Sequence, residues 1–148
     1  MAEPLPDLRV FETTHCTVDQ AAGYRLPGYL IVEIRGDAER LSALDPEARA
    51  DLFDAVTEAE RLVHELVAPE RVYVAKYAEL NPRVHLHVIP RTAAVGAAYA
   101  AATGDEAPFD GAALTTWLWS HHAELGHTDA ELADFVTRAR AARAGAGR

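Results

Sequence analysis

A short stretch near the middle of the chain alternates strictly between polar and apolar side chains. Residues 83–88 read Arg-Val-His-Leu-His-Val, and Ile89, Pro90 and Arg91 follow. Side chains on a β-strand point alternately to opposite faces, so this period of two predicts a half-buried strand. Arg83, His85 and His87 would share the polar face, spaced about 7 Å apart. Three nitrogenous side chains in a row favour an anion site, although a solvated strand face that carries two histidines has the same pattern.

The segments around this strand predict an α+β fold. Apolar and β-branched residues predict strands at 8–11, 16–19, 29–34 and 72–77. The connection from residue 78 to residue 82 is too short for a crossover, so the strand before it must pair antiparallel with the motif strand. The order β-β-β-α-β-β then predicts an antiparallel five-stranded meander sheet with a long core helix packed on one face.

The core helix has a clear predicted start and end. Asp45 is a helix-capping residue, Pro46 suits the first helical position, and Pro69 ends the periodic pattern. Apolar residues recur every three or four positions in between, which predicts one buried stripe. The stripe comprises Leu52, Phe53, Val56, Ala59, Leu62, Val63, Leu66 and Val67.

The last third of the chain predicts a helical extension at about residues 109–143. Residues 93–107 are rich in Ala, which permits a helix without specifying a packed face. Asp110 is the predicted cap of a helix that ends near Gly126, and Thr128 with Glu131 has the capping-box pattern. Leu132, Phe135, Val136 and Ala139 would form the apolar face of that last helix.

Residues 1–7 are expected to be a mobile lead-in and residues 145–148 to fray. Trp117 and Trp119 are interpreted as core or dimer contacts rather than a base-stacking platform.

Composition limits the classes of function. A chain of 148 residues fits a single domain, and its net charge of −9 opposes sequence-independent binding of DNA or RNA, although one local positive row could still hold a small nucleotide. Cys16 is the only cysteine, which excludes an intrachain disulfide and a cysteine-rich zinc site, and no metal site is predicted. Neither a secretory pattern nor an apolar run long enough for a membrane span is present, so a cytoplasmic location without a membrane partner is expected.

The stretch Val84–Arg91 resembles the signature of the histidine-triad (HIT) superfamily of nucleotide hydrolases and transferases. That signature is His-x-His-x-His followed by two apolar residues, often with Pro-Arg next. In this resemblance His85 falls on the middle His, which in the family attacks the α-phosphate and carries the nucleotidyl group. His87 falls on the third, which helps bind and position the phosphate, whereas Arg83 stands in place of the first.

The resemblance extends upstream and covers about residues 15–92. Leu26-Pro27-Gly28-Tyr29 looks like the family's Pro-Gly-His before an apolar strand, with Tyr29 in place of the His. Asp19 lies where the family commonly has an Asp or Asn that binds ribose, although a turn-forming Asp would look the same. Asn81 lies where the family often has a residue that contacts phosphate.

The resemblance implies a single HIT-like domain over residues 1–148 that acts as a nucleotide-binding hydrolase or nucleotidyltransferase. It would cleave a phosphoanhydride or phosphoramidate at the α-phosphate through a covalent nucleotidyl-His85 intermediate. No tightly bound cofactor is expected, a divalent cation such as Mg²⁺ could accompany the nucleotide, and a homodimer is implied. An imidazole attacks phosphorus only when it is neutral, so His85 should donate one N–H to a nearby carbonyl and leave its other nitrogen free.

Arg83 is the departure that matters most for function. A guanidinium stays protonated and can neutralise phosphate, but it cannot exchange a proton near neutral pH. One hypothesis is that Arg83 selects a more anionic substrate than the family's usual phosphoramidates. The alternative is a catalytically reduced HIT-like module that binds a nucleotide or a partner. A third hypothesis is that the protein is catalytic but transfers the nucleotide to a specific acceptor instead of water.

Overall fold

Five antiparallel strands form the centre of the computed structural model, which describes residues 7–146. They are β1 (Arg9–Glu12), β2 (Cys16–Gln20), β3 (Leu30–Ile34), β4 (Arg71–Ala75) and β5 (His85–Arg91). The α+β fold, the antiparallel sheet and the pairing of β4 with β5 are confirmed. The sheet order is β1-β2-β3-β5-β4, so the predicted meander holds only over the first three strands. β5 returns between β3 and β4, which leaves β4 at the edge.

One long helix, α1 (Pro46–Val67), packs on one face of the sheet. It begins as predicted, because the Asp45 carboxylate accepts a hydrogen bond from the Ala48 N–H at 2.9 Å. Its buried residues are Ala48, Leu52, Ala55, Ala59, Leu62 and Val63. The prediction for Phe53 was wrong, since this residue is 72% exposed. Phe53 follows Leu52 directly and therefore points about 100° away from the buried stripe.

Three further helices follow the sheet: α2 (Ala93–Thr103), α3 (Gly111–His121) and α4 (Asp129–Ala146). The predicted capping box precedes α4, where Thr128 and Glu131 exchange hydrogen bonds of 3.2 and 2.7 Å. α4 packs beside α1, whereas α2 and α3 cover the opposite face of the sheet and form a second core. The sheet is therefore buried on both faces, not on the single face that was predicted. The second core contains Ala21, Leu26, Tyr29, Ile89, Val95, Tyr99, Leu114 and Leu118.

Both ends of the described chain are packed or helical. The carboxylate of Asp7 accepts a hydrogen bond from Arg140 at 2.9 Å, and α4 continues through Gly145 to Ala146. The expectations of a mobile lead-in and a frayed end otherwise fall on residues 1–6 and 147–148, outside the described residues. Within residues 7–146, no helix has the length and apolar character needed to cross a bilayer.

Candidate functional site

β5 places two histidines on the face of the sheet opposite α1. Val84 and Val88 are fully buried in the α1 core, while His85 and His87 point the other way, which confirms the predicted alternation. The two imidazole rings lie with their centroids 5.3 Å apart, and each residue is only 9% exposed. This histidine face, defined as the surface around His85 and His87, is therefore not a solvated strand face.

His85 is held by the backbone of its own segment. Its Nδ1 lies 2.8 Å from the carbonyl oxygen of Arg83. A carbonyl oxygen only accepts hydrogen bonds, so in the neutral ring Nδ1 carries the proton and Nε2 keeps its lone pair. This is the arrangement that a nucleophilic imidazole needs.

Arg83 and Asn81 lie beside His85 but are engaged by an acidic residue. Arg83 forms an ion pair of 3.1 Å with Glu33, and the Asn81 amide donates to the same carboxylate at 3.2 Å. Asn81 also accepts the Arg83 N–H at 3.2 Å. Glu33 is the residue of β3 directly opposite His85. The positive charge expected at the first triad position is thus largely balanced within the protein. The only sequence signal for a role of Glu33 was that it is the one charged residue in an otherwise apolar predicted strand.

His87 is held by a tyrosine and a tryptophan. The Tyr29 hydroxyl lies 2.8 Å from His87 Nδ1, and Trp119 donates its indole N–H to the Tyr29 oxygen at 2.9 Å. Tyr29 is fully buried. Burial, and to a lesser extent the neighbouring His85, lowers the pKa of His87 to about 4. Burial also raises the pKa of Tyr29 well above its ordinary value.

Aromatic rings surround His87 on the histidine face. Tyr24 stacks on Tyr29 with centroids 4.9 Å apart, and Tyr77 meets Trp119 edge-on at 5.1 Å. Trp117, in contrast, stacks on His121 and packs against Tyr99 in the second core. The core interpretation thus describes Trp117, whereas Trp119 contacts the second core and the histidine face together. No local pattern pointed to this, because Trp119 reaches the site only through the packing of α3 on the sheet.

A tight turn orients Tyr29 toward His87. Gly28 has a φ of +91°, a conformation that favours glycine, and its N–H donates to the buried side chain of Gln20 at 2.9 Å. The Gln20 amide in turn donates to the carbonyl of Leu26 at 2.9 Å. The Pro-Gly pair seen in the sequence therefore fixes where β3 begins and which way Tyr29 enters the second core.

Asp19 lies on the histidine face but at a distance from the histidines. It pairs with Ile31 on β3, which in turn pairs with His87 on β5. Two strand spacings separate the backbones of Asp19 and His87, which is about 10 Å. Its carboxylate forms an ion pair with Arg9. Asp19 is a strand residue, so the turn-forming interpretation was wrong, and its predicted contact with ribose remains a prediction.

No family model matches the sequence, and no curated protein matches it.

Within residues 7–146, no group of three or more His, Cys, Asp or Glu side chains is placed to hold a metal ion.

Several solved structures share the fold. A HIT-like protein involved in cell-cycle regulation from Bartonella henselae is 18% identical with a TM-score of 0.59, over 93% of this chain and 87% of that one. A histidine triad protein from Sinorhizobium meliloti is 18% identical with a TM-score of 0.55, over 80% and 89% of the two chains. A hypothetical histidine triad nucleotide-binding protein from Sulfolobus tokodaii is 13% identical with a TM-score of 0.54, over 90% and 86%. At these identities the likeness establishes the fold.

Proposed function

We propose that this chain, which has the fold of the histidine-triad proteins, is a nucleotide-binding hydrolase or nucleotidyltransferase. It would cleave a phosphoanhydride or phosphoramidate at the α-phosphate through a covalent nucleotidyl-His85 intermediate. The observation that carries this proposal is the 2.8 Å hydrogen bond from His85 Nδ1 to the Arg83 carbonyl, which leaves Nε2 unprotonated. The solved structure from Sulfolobus tokodaii, described as nucleotide-binding, supports the same ligand class.

The proposed reaction has two displacements. His85 Nε2 forms a bond to the α-phosphorus while the bond from phosphorus to the leaving group breaks. Water or a second acceptor then attacks the same phosphorus and releases His85. Splitting one difficult displacement into two easier ones is the usual advantage of a covalent intermediate. His87 would hydrogen-bond the phosphate oxygens or the leaving group.

The remaining predicted residues would bind the nucleotide. Arg83 would face the phosphates and Asn81 would contact them, once an anionic ligand competes with Glu33 for these two side chains. Asp19 would bind the ribose hydroxyls after exchanging its ion pair with Arg9. A divalent cation such as Mg²⁺ would enter with the nucleotide. The net charge of −9 supports a small nucleotide rather than DNA or RNA as the ligand. A cytoplasmic location is also part of this proposal.

The Glu33–Arg83 ion pair also favours a second candidate function. With the first triad position occupied by an arginine whose charge is already paired, the chain could bind a nucleotide or a partner without turnover. The two candidates differ in one observable, the covalent intermediate.

Intact-mass spectrometry with a nucleotide analogue that carries a fast leaving group separates them. We expect a mass increase of one nucleotidyl group in the wild-type protein and none in His85→Ala, while His85→Ala still binds nucleotide in a thermal-shift assay. His64→Ala is the matched control, because His64 is an exposed histidine on α1 that pairs with Glu60, away from the histidine face. A wild-type protein that binds nucleotide without forming the adduct would support the binding module instead.

A homodimer is part of the proposal and involves β4 and α1. β4 is one of the two edge strands of the sheet, and Val74 on it is 45% exposed. Val74 lines a groove together with Phe53 and Val56 of α1. Exposed edge strands pair readily with other strands, and a second copy could add its own β4 antiparallel to this one. Such pairing would also cover the exposed Phe53 ring.

A further inference from the structure

The tyrosine that replaces the family's upstream histidine has a hydroxyl with two hydrogen-bond partners among the described residues. Trp119 Nε1 lies 2.9 Å from it and His87 Nδ1 lies 2.8 Å from it. An indole N–H can only donate, so the Tyr29 oxygen accepts that bond. The single proton of the hydroxyl is then available to one acceptor, and His87 Nδ1 is the atom within reach.

Counting donors assigns the tautomer of His87. If Nδ1 of His87 carried a proton, the Tyr29 oxygen would accept two bonds and its own proton would lack an acceptor in a fully buried position. A buried donor without an acceptor is strongly disfavoured. The arrangement that satisfies every group has Tyr29 donating to Nδ1, which leaves the proton of the neutral ring on Nε2.

The two histidines are therefore protonated in opposite ways. His85 donates through Nδ1 to the Arg83 carbonyl and keeps a lone pair on Nε2. His87 accepts at Nδ1 and carries its proton on Nε2. The ring centroids lie 5.3 Å apart, so an imidazole with a free lone pair and an imidazole with a free N–H are neighbours on the histidine face.

We propose that Tyr29 and Trp119 are positioning residues that fix His87 as a hydrogen-bond donor rather than a proton donor, so that the site accepts substrates whose leaving group departs as a stable anion. The substrate part of this inference rests on the proposed function and narrows it to phosphoanhydrides. The tautomer part stands on the hydrogen bonds alone.

The distinction follows from the atoms in the first displacement. The lone pair of His85 Nε2 forms the N–P bond, and the bond to the leaving group breaks with both electrons on the leaving atom. A phosphate leaves as an oxyanion and needs only the hydrogen bond from His87 Nε2–H. An amine must gain a proton to leave, and His87 could give one only if Tyr29 passed its own proton to Nδ1. Burial disfavours the tyrosinate that would result, because it raises the pKa of Tyr29.

The tautomers can be measured without any substrate. Long-range ¹H–¹⁵N NMR spectra of the full chain labelled at histidine, at pH 7, should show the His87 proton on Nε2 and the His85 proton on Nδ1. Tyr29→Phe should convert His87 to a mixture, and Trp119→Phe should do so to a smaller degree. Tyr99→Phe is the matched control, because it removes a hydroxyl from the second core that bonds Asp105 instead of His87. A His87 proton on Nδ1 in the wild type, or a His87 spectrum unchanged in Tyr29→Phe, would overturn the assignment.

Leaving-group preference is measured with two substrates that share one nucleoside. The wild type should favour the phosphoanhydride over the phosphoramidate by about 10²-fold in kcat/KM, the order that a missing proton donor costs. Tyr29→His should reduce this ratio by about tenfold, because an imidazole can supply a proton near neutral pH. An unchanged ratio overturns the leaving-group inference. Absence of turnover with both substrates overturns the proposed function and the leaving-group inference with it, while the NMR spectra still decide the tautomers.

Discussion

At the scale of single residues, the charge of Glu33 determines how far Arg83 can act on a ligand. The carboxylate lies opposite His85 on the neighbouring strand and 3.1 Å from the guanidinium. An anionic ligand must displace Glu33 from Arg83 or accept its repulsion. If the proposed nucleotide binds here, Glu33 should therefore weaken the binding of its phosphates and disfavour ligands that compete poorly for Arg83.

Replacing Glu33→Gln should tighten the binding of a nucleoside polyphosphate by about fivefold, because a partly exposed ion pair contributes up to about 1 kcal/mol. Isothermal titration calorimetry measures this change, and the difference should shrink at high salt. Glu60→Gln is the control, since Glu60 pairs with His64 on α1, away from the histidine face. Weaker binding by Glu33→Gln would mean that Glu33 itself contributes to the ligand site.

The buried His87 should make stability depend on pH. Its pKa of about 4 in the folded protein lies below the ordinary value near 6.5, so between these values the unfolded chain takes up a proton that the folded one does not. The free energy of unfolding should therefore fall as the pH drops from 7 to 5, by about 1–2 kcal/mol from this residue. The groups around the ring are His85 on its own strand, Tyr29, Tyr24 and Trp119.

Urea unfolding at pH 7 and pH 5 tests this expectation. The His87→Asn variant should lose less stability over this interval than the wild type, whatever its stability at pH 7. His64→Asn, which removes an exposed histidine on α1 instead of the buried one, is the matched control. Equal losses in the wild type and His87→Asn would show that His87 titrates normally in the folded protein.

At the scale of elements, α3 contributes to the candidate site together with β5, because it places Trp119 in contact with Tyr29. Its start is fixed by Asp110, whose carboxylate accepts hydrogen bonds from the N–H groups of Ala112 and Ala113 at 2.9 and 3.2 Å. Gly111 lies so close to Tyr73 that an added Cβ would come within 3.1 Å of that ring. The cap and this close approach set the position of α3 over the sheet.

Asp110→Ala should lower stability by about 1 kcal/mol, the usual cost of losing an N-cap. Hydrogen exchange followed by mass spectrometry should show faster exchange in the first turns of α3. Asp45→Ala removes the matching cap from α1 and should accelerate exchange there instead. Exchange in α3 that is unchanged by Asp110→Ala would mean that packing alone fixes the helix.

Elements with a strong local signal were predictable from the sequence. Asp45 and Pro46 identified the start of α1, Thr128 and Glu131 that of α4, and the alternation identified β5, because each signal is a short-range hydrogen bond or a fixed period. The prediction that Phe53 is buried was wrong, because the spacing of apolar residues does not show which of them lie at the exposed margin of the stripe. The packed side of the Ala-rich α2 consists of Val95, Gly96 and Tyr99, and the local composition did not reveal it.

At the scale of the whole molecule, the site depends on contacts between distant parts of the chain. Glu33 meets Arg83, and Tyr29 meets both His87 and Trp119. The sequence predicted His85, His87, Arg83 and Asn81 as candidate site residues because they lie in one segment. It could not identify Glu33 or Trp119 as site residues, since the insertion of β5 beside β3 and the packing of α3 determine those contacts.

The proposed homodimer should depend on Val74 on the edge strand β4. Val74→Lys places a charge in the groove between β4 and α1 and should convert the proposed dimer to a monomer in sedimentation velocity experiments. Leu41→Lys is the control, because Leu41 is an exposed apolar residue outside this groove. A wild-type protein that sediments as a monomer at all concentrations, or a Val74→Lys protein that remains dimeric, would contradict the proposed interface.

The hydrogen bond between Trp119 and Tyr29 gives the protein a built-in optical reporter. The chain has two tryptophans, and Trp117 is stacked on His121. In a Trp117→Phe background, the fluorescence would come from Trp119 alone, whose indole contacts His87 through the Tyr29 hydroxyl. Unmodified compounds could then be titrated by emission alone, without a dye attached to either molecule.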